Sequence, residues 1–565
     1  MTSALFTAGA QPPAPSSRAG RLEELARALR PGRRRIALAW AAAAFLGLAA
    51  VAGGAGITAD EAAVLSAARG GAEGDASAPP VLDRGPLAPL LARAADATAS
   101  RIGLPHRVAV RLPALLAGAL LAALLALLGH DLAGPAGALL APALCLLVPR
   151  ELVLSATATA DGLSAALGLG AIWAYRLAGR TRRRLGASVA AGLLLGLAVA
   201  ARLDAWIILP VVAVHALLER ALRRGSTERS TDAPDGPGGE DGSDDPRAAA
   251  LEARLHGVPL AVAAMALVAP LVLAAIWPSL LVPPLRTFAA AVPSGAGLPY
   301  LGAPLAPPRP PPGYPLLLTA LSVPLGILLA EAGGLVHAVA RLWRARRPGP
   351  PALDAGDELL LLAGAIAPLA AAQTGIAPLL GGVRAWALAF PFLALLGARA
   401  ILAAARTAWP ARARPLAAAL ALLVLYPAAR AVARGWPALG GTWNELAGGA
   451  PGAASFGLQR QERGEAAHAI LPELEARARP GARVVWLGVA PEAVAVYAAD
   501  GALRPDLSTV ADPADADLAV AVLDGGSRDA EYRTWAAFRT SRPVSGVFVD
   551  EVPLVLVYAR PGAWR

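Results

Sequence analysis

Apolar runs long enough to cross a bilayer recur along most of this chain, and they constrain its fold more than any other feature. A helix of about 17 to 25 apolar residues spans the hydrocarbon core of a membrane. About eleven such runs can be placed, at 36–58, 112–130, 134–149, 162–178, 186–201, 203–218, 257–283, 314–333, 358–375, 386–405 and 415–432. With 56 % hydrophobic and 16 % charged residues, the sequence predicts a polytopic α-helical membrane protein of about 11 transmembrane helices.

Arginine-rich clusters in the loops between these runs indicate how the chain is oriented. They lie at 33–35, 180–184, 220–224, 341–347 and 406–414. Cytoplasmic loops carry an excess of basic residues, and all of these clusters fall on the cytoplasmic side if the N-terminus does. We therefore predict a cytoplasmic N-terminal segment (1–35) and a transmembrane domain (36–432) whose first outer loop is 59–107. The basic residues are interpreted as orientation signals, so no nucleic-acid partner is inferred.

Two segments outside the apolar runs differ from the rest. Residues 225–246 contain Gly, Ser, Pro and acids without apolar content, which predicts a disordered cytoplasmic linker. The segment 433–565 alternates short apolar strands, such as 483–489, with helical patterns, and predicts a small extracytoplasmic α/β domain. The single cysteine, Cys145, excludes an intrachain disulfide and a cysteine metal cluster.

Two adjacent carboxylates, Asp60 and Glu61, follow the first apolar run. One interpretation is local: Thr58 and Glu61 have the spacing of a capping box, in which each side chain satisfies a backbone N–H of the other residue. The other is chemical, because a carboxylate near the membrane interface can accept a proton from an incoming hydroxyl or amine. The two interpretations are compatible, since a fixed helix start would hold Asp60 in place.

Further charged residues are expected on the same face. Asp161 lies where the chain re-enters the membrane, either as the N-cap of the next span or as a second functional acid. Arg84, Arg111 and Arg202 are candidate ligands for a phosphate group. For Arg202 the alternative to phosphate binding is a simple ion pair with Asp204. For Arg111 the alternative, left open here, is that its side chain snorkels from a helix end to the membrane interface.

These motifs resemble the GT-C superfamily of membrane glycosyltransferases. The family includes protein O-mannosyltransferases, aminoarabinose transferases of lipid A and rhizobial lipopolysaccharide galacturonosyltransferases. The first set of matching elements is Asp60-Glu-Ala62, Arg84-Gly-Pro-Leu87, Arg111-Leu-Pro113, Asp161 and 192–202. A second set, which resembles a bacterial subgroup, is Trp277-Pro278, Tyr300-Leu-Gly302, Tyr314-Pro315, Gly381-Gly-Val-Arg384 and Phe390-Pro-Phe-Leu393. The resemblance covers roughly residues 36 to 465, and it implies a GT-C-like fold.

The resemblance implies an activity. A sugar on a polyprenyl-phosphate donor would pass, with inversion, to a lipid, glycan or protein acceptor at the outer face of a bacterial cytoplasmic (inner) membrane, as in lipopolysaccharide and cell-envelope assembly. Asp60 would be the general base within a catalytic set that includes Glu61 and Asp161. Tyr314 and Arg384 would join the phosphate-binding arginines in contacting substrate. A divalent cation held by Asp60 and Asp161 is possible in the family.

The sequence also departs from the family pattern. Ala63 and Val64 stand where an aromatic residue often follows the acidic pair, and Pro312-Gly313 replaces a Trp-His before Tyr314. A catalytically inactive relative is therefore one alternative. The other is a flippase or transporter of lipid-linked sugars, but such proteins bind at the membrane midplane between repeats, and no convincing repeat is present.

Overall fold

The computed structural model describes residues 32–68, 85–180, 183–227, 258–278, 299–304, 310–345, 355–374, 379–524 and 528–565. Most of them are helical up to about residue 455, and a mixed sheet follows. The predicted linker (225–246) lies almost entirely outside the described residues, and so do most of the N-terminal segment and Arg84.

The first half of the chain contributes nine helices among the described residues. They are α1 (Arg33–Gly54), α2 (Ala59–Ala68), α3 (Leu87–Ala99), α4 (His106–Leu146), α5 (Pro149–Ala156), α6 (Ala160–Ala178), α7 (Arg184–Ala201), α8 (Ile208–Thr227) and α9 (Leu260–Ile276). The 41-residue α4 covers two predicted spans, because Gly134, with φ 75° and ψ −167°, interrupts it. Only glycine adopts that backbone conformation without steric cost, so Gly134 allows the chain to bend between the two spans.

The second half adds a short hairpin, β1 (Pro299–Tyr300) with β2 (Ala303–Pro304), and then further helices. These are α10 (Tyr314–Ser322), α11 (Leu325–Ala345), α12 (Ala355–Thr374), α13 (Phe390–Ala408), α14 (Ala413–Gly435) and α15 (Gly449–Ser455). A stretch of 3₁₀ turns, Leu379–Ala389, leads into α13 and carries Arg384. A helix thus lies over each predicted apolar run.

Length and hydropathy decide which of these helices can cross a membrane. Seven of the described helices are long and apolar enough, and α5 with α6, bent by 97° between them, makes an eighth if the pair is one span. The protein is therefore a multi-pass membrane protein. The count of about eleven spans stays a prediction, because α9, with 17 residues, is at the lower limit of a spanning length and α10, with 9, is below it.

The C-terminal segment forms a five-stranded sheet in the order β4-β3-β5-β7-β6. The strands are β3 (Arg483–Leu487), β4 (Ser508–Val510), β5 (Leu518–Val522), β6 (Ser545–Val549) and β7 (Val552–Ala559), and the helices are α16 (Leu471–Arg477), α17 (Pro491–Ala499) and α18 (Arg528–Phe538). The strands β3, β4 and β5 are parallel, whereas β7 is antiparallel to β5 and β6. The extracytoplasmic position of this sheet stays a prediction.

The sheet segment contacts the helices where the charged motifs lie. The carboxylate of Asp500 accepts hydrogen bonds from the backbone N–H groups of His106, at 2.7 Å, and Arg107, at 3.1 Å. These are N–H groups of the first turn of α4, which have no acceptor within the helix. The Tyr497 hydroxyl accepts the N–H of Ile57 at 2.7 Å. The C-terminal segment therefore fixes both the start of α4 and the loop that precedes Asp60.

Candidate functional site

The capping box predicted at the start of α2 is present. The Thr58 N–H donates to Oε2 of Glu61, and the Glu61 N–H donates to the Thr58 hydroxyl, both at 3.2 Å. Asp60 lies between them in the first turn of the helix. The local sequence is sufficient for this geometry, because the two side chains satisfy N–H groups that the first helical turn leaves without acceptors. The box holds the backbone of Asp60 in place.

Glu61 is buried and bound on every side, which argues against the catalytic role expected for it. Its carboxylate accepts Nε of Arg111 at 2.8 Å and Nη2 at 2.7 Å. It also accepts the backbone N–H of Ala158 at 2.7 Å. With 1 % of the residue exposed, Glu61 connects the first turn of α2, which carries Asp60, to the loop before α6, whose first turn carries Asp161.

Arg111 has no N–H left for a phosphate, contrary to the expectation that it binds one. Besides Glu61, its guanidinium donates to the carbonyl oxygens of Ala52 at 2.5 Å, Ala55 at 3.0 Å and Gly56 at 2.7 Å. A guanidinium has five N–H groups, and all five are used within the protein. Since Arg111 is fully buried, it holds the end of α1 against α4, and snorkelling does not describe it either.

Arg384 brings the two candidate acids together. Its Nε and Nη2 donate to Oδ2 of Asp161 at 3.1 Å and 2.6 Å, and its Nη1 donates to Oδ2 of Asp60. The Arg384 side chain is 11 % exposed, that of Asp161 1 % and that of Asp60 23 %. One cation between two carboxylates offsets their mutual repulsion at close range.

Arg202 extends this network on the far side of Asp161. It donates Nη1 to Oδ1 of Asp161, and Nη2 to Oδ2 of Asp204 at 2.6 Å. The simple ion pair with Asp204 is thus present, and Asp161 is added to it. The N-cap interpretation of Asp161 is wrong, because Thr159 occupies the N-cap of α6 and Asp161 lies inside the first turn. A carboxylate in the first turn is still favoured by the helix dipole.

Gly85, the residue that follows Arg84 in the sequence, contacts the end of α7. Arg84 itself lies outside the described residues, but the N–H of Gly85 donates to the carbonyl of Ala201 at 2.9 Å. A Cβ on Gly85 would lie 1.9 Å from the carbonyl oxygen of Ala200. A side chain at position 85 is therefore excluded at this close backbone contact, which explains the glycine after Arg84.

Tyr314 lies in an aromatic cluster instead of an open binding surface. Its ring makes edge-on contacts with Tyr300, at 5.0 Å between centroids, and with Trp386, at 5.9 Å. Tyr314 is 1 % exposed. The indole N–H of Trp386 donates to the Thr319 hydroxyl at 2.9 Å. The cluster packs α10 against the turns that carry Arg384, so Tyr314 supports the position of Arg384.

The arrangement does not fit a divalent cation. In the described part of the chain, no group of three or more His, Cys, Asp or Glu side chains has the geometry of a metal site. Asp60 and Asp161 are bound by Arg384, and Arg202 also binds Asp161. A divalent ion beside these guanidinium groups would be repelled. No step of the proposed chemistry below therefore uses a metal.

Sequence reasoning missed a second charged group near Arg384. Arg150, Arg384 and Glu462 line one narrow gap, and Glu465 lies beside it, accepting the N–H of Gly440 at 3.0 Å. Burial raises the pKa of Glu465 to about 8. Arg150 directly follows a proline at the end of an apolar run. A charged residue at the end of a membrane span is a sequence signal that could have indicated these residues.

The resemblance expected from the motifs is confirmed over part of the chain. Residues 83–231 match the family described as dolichyl-phosphate-mannose-protein mannosyltransferase. This segment contains Arg111, Asp161 and Arg202. The chain therefore resembles the GT-C superfamily of membrane glycosyltransferases. No curated protein matches the sequence.

Two solved proteins are similar in shape. ArnT from Cupriavidus metallidurans, solved with undecaprenyl phosphate, has 16 % sequence identity, and the alignment covers 92 % of this chain and 97 % of ArnT with a TM-score of 0.45. The archaeal oligosaccharyltransferase AglB from Archaeoglobus fulgidus, solved with an inhibitory peptide and a dolichol-phosphate, has 13 % identity. That alignment covers 89 % of this chain and 71 % of AglB with a TM-score of 0.44.

Proposed function

We propose that this protein is a membrane glycosyltransferase. It moves a sugar from a polyprenyl-phosphate donor to an acceptor at the outer face of its membrane, with inversion at the anomeric carbon. The observation that carries the proposal is the convergence of Asp60 and Asp161 on Arg384. The acids come from the first turns of two different helices, α2 and α6, and the cation comes from the 3₁₀ stretch before α13. Such a cluster at one end of a helix bundle matches a reaction that needs one base and stabilised negative charge. The match of residues 83–231 supports the donor class.

Asp60 is proposed as the general base because it is the more exposed of the two acids, at 23 % against 1 % for Asp161. The acceptor oxygen or nitrogen attacks the anomeric carbon while its proton passes to Asp60. The bond from the anomeric carbon to the phosphate oxygen breaks, and its electron pair stays on the phosphate. A phosphate needs no proton to depart, so one base suffices, unlike the two carboxyl groups of a glycoside hydrolase.

The remaining charged residues are proposed to position this base and the donor. Arg384 and Arg202 hold Asp161, which in turn fixes the guanidinium that contacts Asp60. Arg384 is proposed to lie next to the oxygen on which charge develops as the phosphate leaves, since a preorganised cation there stabilises the transition state. Arg84 is proposed as a further phosphate ligand, because its neighbour Gly85 contacts the end of α7 beside Arg202.

The orientation in the membrane is proposed from charge. The arginine clusters between the helices favour a cytoplasmic N-terminus, and we therefore propose that Asp60, Asp161 and the C-terminal sheet lie outside. We propose a bacterial cytoplasmic membrane, with a lipid, glycan or protein as acceptor. The C-terminal segment is proposed to stabilise the loop before Asp60, through the contact of Tyr497 with Ile57.

The test is sugar transfer from a polyprenyl-phosphate donor in membranes that contain the protein. Asp60→Asn should lower the rate of transfer by about 10²-fold or more, and the elution volume of the purified variant should be unchanged. Asp96→Asn is the matched control, because Asp96 is a partly exposed acid that pairs with His106 away from Arg384. Full activity of Asp60→Asn would end the base assignment. Donor binding without turnover in the parent protein would identify an inactive relative, and donor translocation without transfer would identify a flippase.

A further inference from the structure

Arg150 is a buried cation with hydrogen-bonding capacity that no residue in the described part of the chain uses. It is 5 % exposed, and its Nε and Nη2 atoms are buried without a hydrogen-bond partner. An unpaired buried N–H of a charged group costs free energy. Native structures rarely keep such groups without a role.

The two unpaired nitrogens lie on the same edge of the guanidinium. This edge is the fork that donates two parallel N–H bonds to two oxygens of a carboxylate or a phosphate. A cation or a neutral carbonyl does not match that pair of donors. The geometry of the unused edge therefore selects an oxyanion.

Arg150 lies next to the site that contains Arg384. On one face, the Arg150 guanidinium stacks on the ring of Trp443, at 4.3 Å from the centroid. Arg150 and Arg384 line the same narrow gap, together with Val383, Gly440 and Glu462. Arg384 is already paired with Asp60 and Asp161, whereas Arg150 has no ion pair within the described residues, so an anion in this gap would compensate the buried charge of Arg150.

We propose that Arg150 binds an oxyanion of the substrate through Nε and Nη2, next to Arg384. The proposal rests on the proposed function and deepens it by adding a binding residue that the sequence motifs did not indicate. Two sources share this chemistry: the phosphate of the lipid donor, and a carboxylate on the sugar. The gap is narrow, so binding requires the side chains of Arg150 and Glu462 to move apart, and Glu462 is partly exposed and able to do so.

A structural role for Arg150 makes the opposite prediction about stability. If stacking on Trp443 were the reason for the arginine, Arg150→Met would lower the unfolding temperature. If the arginine is kept for a ligand, Arg150→Met removes an unsatisfied buried charge, and the unfolding temperature stays unchanged or rises. Measurements of unfolding temperature and of anion binding therefore distinguish a structural role of Arg150 from a ligand-binding role.

The experiment measures binding to the purified full-length protein and to Arg150→Met, Arg150→Lys and Arg434→Met. The probes are a short-chain polyprenyl phosphate, the matching polyprenol, and a free sugar acid. Arg434 is the matched control, because it is an exposed arginine that lines a separate cavity, which Trp443 also lines. Unfolding temperature in detergent is recorded for every variant.

We expect Arg150→Met to bind an anionic probe at least about tenfold more weakly than the parent, because charge-assisted hydrogen bonds are lost. Its unfolding temperature should not be below that of the parent. Arg150→Lys should recover part of the affinity, since it keeps the charge without the fork. Weaker binding of polyprenyl phosphate would identify the donor phosphate as the ligand of Arg150. Weaker binding of the sugar acid would identify a sugar carboxylate instead. Equal affinity of parent and Arg150→Met for both anions would overturn the inference and leave the proposed function intact. A parent protein that binds neither anion would refute both.

Discussion

Arg384 donates two hydrogen bonds to one oxygen of Asp161, from Nε at 3.1 Å and from Nη2 at 2.6 Å. This leaves Nη1 directed at Asp60. A planar guanidinium can bridge two carboxylates in this way, and an ammonium group cannot do so with the same fixed geometry. The distance between the two acids is thus set by the one side chain that joins them.

Replacing Arg384 by lysine tests this bridge. Arg384→Lys keeps the charge and loses the fork, so sugar transfer should fall by about 10²-fold. The measurement is the initial rate of transfer at saturating donor. Arg406→Lys is the control, because Arg406 is exposed in the last turn of α13, the helix that follows the 3₁₀ stretch with Arg384. Equal rates for Arg384→Lys and Arg406→Lys would show that the bridge does not contribute to catalysis.

Glu61 and Arg111 form a buried pair whose role is structural. Glu61→Gln leaves the guanidinium of Arg111 buried without its counter-charge, so the free energy of unfolding should fall by about 3–5 kcal/mol. The double variant Glu61→Gln with Arg111→Met should lose less free energy of unfolding than the two single variants lose together, because the buried charge is removed with its partner. Thermal unfolding in detergent measures both. A variant that loses activity at unchanged stability would instead give Glu61 a catalytic role.

Asp500 fixes the start of α4 from the C-terminal segment. Asp500→Ala removes the acceptor of the His106 and Arg107 N–H groups, which should cost about 0.5–2 kcal/mol, as for the loss of a helix cap. Hydrogen exchange at residues 106–108 should accelerate. Asp506→Ala serves as comparison, since Asp506 is exposed and pairs with Arg504 within the sheet segment. If hydrogen exchange at residues 106–108 is no faster in Asp500→Ala than in Asp506→Ala, the capping role is contradicted.

The raised pKa of Glu465 predicts a pH dependence of stability. Burial raises this pKa from 4.5 to about 8, so between these values the folded protein keeps a proton that the unfolded chain has lost. The contribution of Glu465 to stability therefore falls as the pH rises from 4.5 towards 8. Glu465→Gln cannot ionise and should lack this component. Unfolding temperatures of both proteins across this range test it, and parallel curves would exclude a raised pKa.

Local sequence was enough to predict the helix at each apolar run and the start of α2. The capping box involves residues three positions apart, and the hydropathy of a span is a property of one continuous segment. The same holds for the ion pair of Arg202 with Asp204, two residues apart. In each case the physical cause acts within one turn or one span.

The tertiary structure alone decided which charges meet. Arg384 lies 324 positions from Asp60 and 223 from Asp161, and Tyr497 lies 440 from Ile57. The sequence had grouped Glu61 and Arg111 with the reacting residues, whereas packing buries them against each other. Which side of a helix faces a neighbour depends on the rotation and crossing angle of packed helices, and hydropathy does not contain that information where a helix is apolar all round. For the same reason the burial of Arg150 became apparent only once α5, the turns before α13 and the C-terminal segment were packed together.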